Sequence, residues 1–360
     1  MNKRDFLKAG LLAGIATQLP LGGGAETLSV NKRHKKLKNW VWTNPNPKDT
    51  DDELATRYAA FKTAGVTGIF FEADSERHFR AAKAHGIETH RWMWTFNRAE
   101  LVTVHPEWYS KNRNGDSCAD KPPYVNYYRW LCPSRAEVQQ YLEQQVNDIL
   151  DRDYVDGIHL DYVRYCDVVL PVNLWDNYHI EQTKELPDYD YCYCDVCKAK
   201  FKEQYGQDVS AIRYPEASLS WRLFRYNNIS RVVNSISAIA HQHKKLITAA
   251  VFPTPEVARR NVRQDWTNWK LDGVCPMIYH GFYKENVSWI GDAVAEGVHF
   301  LAGSFPLYAG VYLPDFKSDD ELRQGIQFAL KNGAAGVSLF GNVTPQVLAV
   351  LQEESKAFLA

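Results

Sequence analysis

The chain is 360 residues long, 45% hydrophobic and 24% charged, enough apolar material for a large core without disulfide staples. A formal net charge of −1, with no basic stripe beyond residues 32–38, excludes the electrostatic footprint of a nucleic-acid binder. Aromatic residues make up 13%, which suits the flat-walled clefts of sugar-binding enzymes but serves ordinary packing equally well.

Residues 1–25 read as an export signal. Asn2-Lys3-Arg4-Asp5-Phe6-Leu7-Lys8 leads into an apolar run over 9–21 and the small-residue patch Gly22-Gly23-Gly24-Ala25. The run is short for a membrane span. Its charged start resembles a twin-arginine signal with Lys3 replacing the first arginine, so the twin-arginine and general secretory routes both stay open. No cysteine follows the run, which argues against a lipoprotein anchor. The expected destination is the periplasm or the medium, and the plain alternative is a frayed cytosolic N-terminus. Residues 26–38 form a basic, solvated linker, and 39–360 read as one domain with no stable membrane insertion.

That domain alternates strands with helices. Trp40-Val41-Trp42-Thr43 is a first strand; a helix over 50–64 follows, with Asp49-Thr50-Asp51-Asp52-Glu53 as its acidic start and Gly65 as its stop. Further strands are expected over 68–72, 87–94, 155–161, 246–252, 273–279, 299–305 and 336–340. Helices are expected up to residue 86, from 134, over 219–241, 286–296 and 318–332, and from 345. Short apolar strands between amphipathic helices imply a parallel sheet covered on both faces. Eight such units match a (β/α)₈ barrel with an insertion after the fourth strand, between Cys166 and Pro215. A doubly wound open sheet is the runner-up, but the first strand lacks the glycine fingerprint of that class.

The fourth strand carries the chemistry. In Asp156-Gly157-Ile158-His159-Leu160-Asp161-Tyr162, alternation sends Ile158 and Leu160 to one face and His159 and Asp161 to the other. A strand-end carboxylate is costly to desolvate without support, and His159 and Arg164 are the local candidates to give it. Barrel enzymes gather their chemistry at the C-terminal strand ends, which singles out Trp42, Glu72, Asp74, His90, Trp92, Trp94, Asp161, Glu256, Tyr279, His280 and Asn342. No Ser-His-Asp order suggests itself, and the His-x-His pair of many metal-dependent barrel hydrolases is missing.

Two carboxyl groups flanked by aromatic walls are what glycoside cleavage needs, one protonated and one ionised. Asp161 is the first, against the simpler reading of an ion pair with Arg164 or a strand-end cap. Glu256, just past the fifth strand, is the second, although an acidic first helical turn after Pro255 explains it equally well. Glu72 competes for that role, or else binds a substrate hydroxyl or orients His90. Asp265 reads as a helix cap. Trp92 and Trp94 are candidates for a sugar-stacking wall, with core packing as the alternative, and Trp42 is a candidate substrate contact. Tyr279 and His280 would contact substrate or tune Asp161, unless His280 is an ordinary buried histidine.

Together Asp156-Gly157-Ile158-His159-Leu160-Asp161-Tyr162, Leu131-Cys132-Pro133-Ser134-Arg135-Ala136-Glu137-Val138 and the stretch from Gln264-Asp265-Trp266 through Trp269 to Met277 and Tyr279 resemble the glycosyl-hydrolase-like family-10 proteins. The resemblance spans most of the mature chain in the right order. It implies an exported barrel and glycoside hydrolysis of a poly- or oligosaccharide, without naming the sugar. The alpha-amylase-like barrels pair a nucleophilic aspartate after strand four with a glutamate after strand five, an analogy that favours Asp161 with Glu256. The alternatives are a carbohydrate-binding barrel with an incomplete acid/base pair and a barrel hydrolase of another bond.

Seven cysteines in an exported chain would ordinarily suggest disulfides. Cys192-Tyr193-Cys194-Asp195-Val196-Cys197 instead crowds three into one turn, where thiolates can wrap a tetrahedral ion. Cys132 in Trp130-Leu131-Cys132-Pro133, followed later by Cys-x-Cys-x-x-Cys, is similar to glycoside hydrolase family 42, whose members hold a structural zinc. That similarity implies a site of Cys132, Cys192, Cys194 and Cys197, with disulfides or free thiols as the alternative. No organic cofactor is expected.

Overall fold

The computed structural model describes residues 36–360; the expected export signal and all but the last three residues of the basic linker lie outside the described residues. Eight strands follow one another as β1 (Asn39–Thr43), β2 (Val66–Phe71), β3 (Glu88–Trp94), β4 (Gly157–Asp161), β5 (Leu246–Val251), β6 (Gly273–Pro276), β7 (Ala309–Tyr312) and β8 (Val337–Phe340). Between and after them lie α1 (Asp51–Thr63), α2 (Glu76–Ala84), α3 (Ala136–Leu150), α4 (Asp195–Tyr205), α5 (Leu219–Gln242), α6 (Pro255–Val262), α7 (Trp289–Leu301), α8 (Asp319–Lys331) and α9 (Pro345–Leu359). All pairings are parallel, in spatial order β6-β5-β4-β3-β2-β1-β8-β7. Bridges from Val274 to Leu307 and from Met277 to Gly310 draw the two ends together into a (β/α)₈ barrel. Gly310 permits that approach, because a Cβ there would lie 2.6 Å from the Pro276 carbonyl oxygen.

The local signals act as expected at α1. Thr50 caps it, Glu53 reaches back to complete a capping box, and Asp51 and Asp52 meet the positive end of the helix dipole. The seventh strand departs from expectation. Residues 299–301 close α7, whose buried Ile290, Ala293, Val294, Gly297 and Leu301 recur at helical spacing. His299 and Phe300 therefore extend the helix, with Phe300 50% exposed, and the strand forms later, from Ala309.

Two apolar layers result. Ile158 and Leu160, both fully buried, join the layer between sheet and helices, while Trp40, Trp42, Phe70, Trp92 and Tyr308 fill the barrel interior. Register sets Trp94 beside Asp161 and Trp92 beside His159. Among the described residues no helix is long and apolar enough to cross a membrane.

The insertion after β4 has its own polar anchor. Arg225 of α5, fully enclosed, pairs with Asp190, which also accepts from the Tyr193 hydroxyl at 2.6 Å. Arg263 binds Glu185 and lies 3.6 Å from Asp190. Removing one member of such a buried set costs several kcal/mol, about 3–5 kcal/mol, because the remaining charge is stranded.

Candidate active site

Asp161 is the last residue of β4 and points into the mouth of the barrel. Its Oδ1 accepts from the backbone N–H of Tyr162 at 2.6 Å, and its Oδ2 accepts from the Trp92 indole N–H at 3.0 Å. Tyr162 holds a left-handed conformation, φ 47°, which turns the chain away immediately after the carboxylate. A non-glycine residue held so costs about 1–3 kcal/mol and persists only where its surroundings impose it. Burial pushes the Asp161 carboxyl up. The Tyr162 N–H, the Trp92 indole and Arg164 pull it back, and the charge of Glu72 raises it further.

Glu72 follows β2 directly and lines the same cleft. Burial pushes its carboxyl up as well, against the opposing pull of Arg91 and the Trp94 indole. Arg164 lies just beyond Asp161, donating from Nη1 to Asp167 at 2.9 Å and to the Tyr165 carbonyl at 3.0 Å. Its guanidinium stacks within 4.7 Å of the Trp130 ring centre and 5.0 Å of that of Phe252. The cation is thus fixed beside the carboxylate and balanced by Asp167.

The cleft has a volume of about 650 Å³. Of the residues singled out in the sequence, Trp42, Glu72, Trp92, Trp94, Asp161, Arg164 and Tyr279 line it. Trp94 packs on Tyr162 at 4.6 Å, and Tyr279 stacks on Phe340 at 5.9 Å. Six residues do not reach the cleft; two of them are Asn342 and Asp74, the latter paired with Arg91 at 3.1 Å. Glu256 is exposed in the first turn of α6, where the Thr254 cap and Pro255 direct the chain outward, and its backbone N–H donates to Glu296. His90 and His159 point inward as alternation requires, but both are fully enclosed beneath the cleft floor. His280 is buried against Phe316, with ring centres 5.0 Å apart.

The connections supply walls that no strand pattern announced, Tyr124, Tyr127 and Tyr128 before α3, Tyr178 in the insertion, and Phe282 and Tyr283 after β6, and Tyr312 at the end of β7 joins them. For Tyr124, Tyr127 and Tyr128 the sequence signal is the aromatic density of the long segment after β3. A serine–histidine–aspartate contact exists outside the strand-end candidates. Ser75 Oγ lies 2.6 Å from His78 Nδ1, and His78 Nε2 lies 3.3 Å from Asp49. None of the three lines the cleft, and the Asp49 carboxylate already binds Arg57 at 2.6 Å.

Cys132, Cys192, Cys194 and Cys197 converge, all buried, with their sulfurs within 4.8 Å of one another. Cys132 Sγ lies 3.5 Å from both Cys194 Sγ and Cys197 Sγ. No disulfide joins the described cysteines. Four sulfurs around zinc at the usual bond length stand about 3.8 Å apart, so the donor set fits a tetrahedral ion. Such a centre would have no open position and would brace the insertion against the segment before α3 without entering the reaction.

The profile of the family described as Glycosyl hydrolase-like 10 matches residues 78–298. A comparison with curated sequences finds no match. Among solved structures, the PgaB (BpsB) glycoside hydrolase domain from Bordetella bronchiseptica is similar with a TM-score of 0.64 at 12% identity, covering 90% of this chain and 98% of that one. The catalytic domain of beta-amylase from Paenibacillus polymyxa gives 0.62 at 11% identity, covering 90% and 99%. A beta-galactosidase from the psychrophilic Marinomonas ef1 gives 0.63 at 10% identity, covering 89% of this chain and 59% of that one. At these identities the likeness establishes the shared barrel.

Proposed function

The chain belongs to the glycosyl hydrolase-like 10 family, and from that premise we propose that it hydrolyses a glycosidic bond of a poly- or oligosaccharide, with Asp161 and Glu72 as its carboxyl pair. The observation that carries this reading is that both carboxyl groups line one aromatic-walled cleft and burial pushes both upward. Their surroundings divide the roles. Both oxygens of Asp161 accept hydrogen bonds and Arg164 stands beside it, which favours the ionised form as nucleophile or base. Glu72 takes the other role, proton donor to the departing oxygen, because burial favours its neutral form and it lacks the backbone N–H that helps hold Asp161 ionised. The neighbouring rings of Trp94, Tyr162 and Tyr279 offer faces on which a sugar ring can stack.

The test is a screen of soluble oligosaccharides and aryl glycosides, with native protein beside Asp161→Asn and Glu72→Gln. Cleavage by the native chain alone supports the proposal; a cleavage unaffected by Asp161→Asn overturns it. The outward position of Glu256 favours a second reading, a carbohydrate-binding barrel without turnover. Retention of an oligosaccharide with no product from any member of the panel would select it.

The four-cysteine cluster we assign to a structural zinc, on the fit of its donors. Metal analysis of the purified protein should find one zinc per chain, and Cys194→Ser should remove it. Residues 1–25 we read as an export signal ahead of a single catalytic domain over 39–360. Fractionation of bacteria expressing the full chain should then recover it, shortened, outside the cytoplasm.

A further inference from the structure

The strand interiors beneath the cleft hold an unbroken polar chain in a setting otherwise filled with rings. The Trp42 indole, a donor only, gives its Nε1–H to His159 Nε2 at 2.9 Å. His159 must then carry its proton on Nδ1, which lies 2.9 Å from Thr248 Oγ1. The threonine hydroxyl, having accepted there, has its own hydrogen to place. His90 Nδ1 is 3.1 Å away, whereas the Ile158 carbonyl is 3.5 Å away. His90 accepts on Nδ1 and donates from Nε2 to Glu88 Oε1 at 2.9 Å, and Glu88 Oε2 accepts from Lys38 at 2.7 Å. Glu88 and Lys38 stand at the starts of β3 and β1, so the series crosses the barrel from its floor to the cleft.

We infer that this one-way series positions the cleft: His159, Thr248 and His90 are positioning residues that hold the Trp42 indole at one angle beneath the substrate. Three observations support it. Each member has the donor and the acceptor its neighbours need, so with His90 neutral a single arrangement of hydrogens satisfies the whole series. The packing is made for it: the His159 ring stacks on Phe70 at 3.7 Å, and both histidines are fully enclosed. Gly157 provides the space, since a Cβ there would lie 2.6 Å from His90 Nε2. Burial also holds His159 neutral, far below its ordinary range. The series is not a proton path to the substrate, because its last member is an indole N–H that does not ionise in the physiological range.

The first test needs no ligand and is independent of the glycosidase reading. Nitrogen-15 spectra at pH 7.5 should show His159 as the Nδ1–H tautomer, His90 as the Nε2–H tautomer, and a Trp42 indole N–H that exchanges slowly with water. His159→Phe, which keeps the stack on Phe70 but removes the acceptor, should shift that indole signal and speed its exchange. His159→Gln, with an amide oxygen near the lost nitrogen, should restore it in part. Thr248→Val, nearly isosteric, removes the shared partner of His159 Nδ1 and His90 Nδ1 and should shift both of those nitrogen signals even if the histidine variants fold poorly. An Nε2–H tautomer at native His159, or an indole signal indifferent to all three changes, overturns the inference.

The second test rests on the glycosidase reading. On the aryl glycoside the native chain cleaves best, His159→Phe should raise KM about tenfold and leave kcat within about threefold, as loss of uniform binding does. If the spectra agree and no glycoside is cleaved, the reaction class fails and the positioning stands. If the substrate is cleaved and KM does not move, the positioning fails.

Discussion

β4 and β5 are neighbours in the barrel, and a carboxylate follows near the end of each, yet the two arrive in opposite places. Asp161 is itself the final residue of β4, so the pleat that buries Leu160 aims it into the mouth. Glu256 comes after Val251 by way of Phe252, Pro253 and Thr254, and that short link has already begun α6. Glu256 is exposed there, and its backbone N–H meets the Glu296 carboxylate. The connections differ as well. After β4 the chain makes a long excursion, held by the cysteine cluster and the Asp190 ion pairs, that returns Tyr178 to the cleft wall. A carboxylate on a strand is directed by the sheet; one past the strand is directed by whatever caps the next helix.

The contrast can be broken most decisively at Asp161. Asp161→Asn should lower kcat about 10²–10⁴-fold on any glycoside the native chain cleaves, with the fold intact by circular dichroism. Next comes Glu72, whose replacement by Gln should cost about 10²-fold and reshape the pH–rate profile. The ionised Asp161 is lost as pH falls through its raised pKa, and the protonated Glu72 is lost as pH rises through its own. The native profile should therefore be a bell with both limbs above the ordinary carboxyl range, and Glu72→Gln should abolish the alkaline limb. An unchanged alkaline limb would return the acid role to another group.

Cys194→Ser probes the excursion that distinguishes the two strand ends. Loss of the metal should lower the melting temperature by roughly 5–10 °C, a few kcal/mol for a domain of this size, and loosen the Tyr178 wall with only a modest change in kcat. A probe read on stability lies at the barrel floor. Burial would raise Glu88, but His90 and Lys38 outweigh it and bring its pKa to about 2. Its contribution is present above the ordinary glutamate value and lost as pH falls from there towards 2, so Glu88→Gln should flatten acid denaturation across that window. Smallest of all, Glu256→Gln should leave kcat/KM within about twofold and stability nearly unchanged. A large loss there would erase the distinction between the two strand ends.

Much of this was legible in the residues. The alternation of strand and helix gives the barrel, and the in–out order of Ile158, His159, Leu160 and Asp161 gives the inward face of β4. The seventh strand was misplaced because His299-Phe300-Leu301 is apolar enough for a strand, while its helical spacing shows only against α8 and the sheet. The histidines mark a second kind of limit. Alternation tells which side of a strand a residue occupies but not how far along the barrel axis it lies, so His90 and His159 looked like cleft residues and prove to lie below its floor. The aromatic walls were hidden for a third reason: they belong to connections, which carry no period.

By itself the sequence determined the fold class, the inward carboxylate of β4 and the crowding of Cys192, Cys194 and Cys197, since each follows from local spacing or from the chemistry of a short motif, while Cys132 was implied by the similarity to glycoside hydrolase family 42. Only the tertiary structure decided that Glu72, and not Glu256, shares the cleft with Asp161, and that two enclosed histidines support the floor from beneath. Those outcomes depend on depth within the barrel and on the direction of loops. Packing between distant segments sets both, and no periodicity along one strand encodes them.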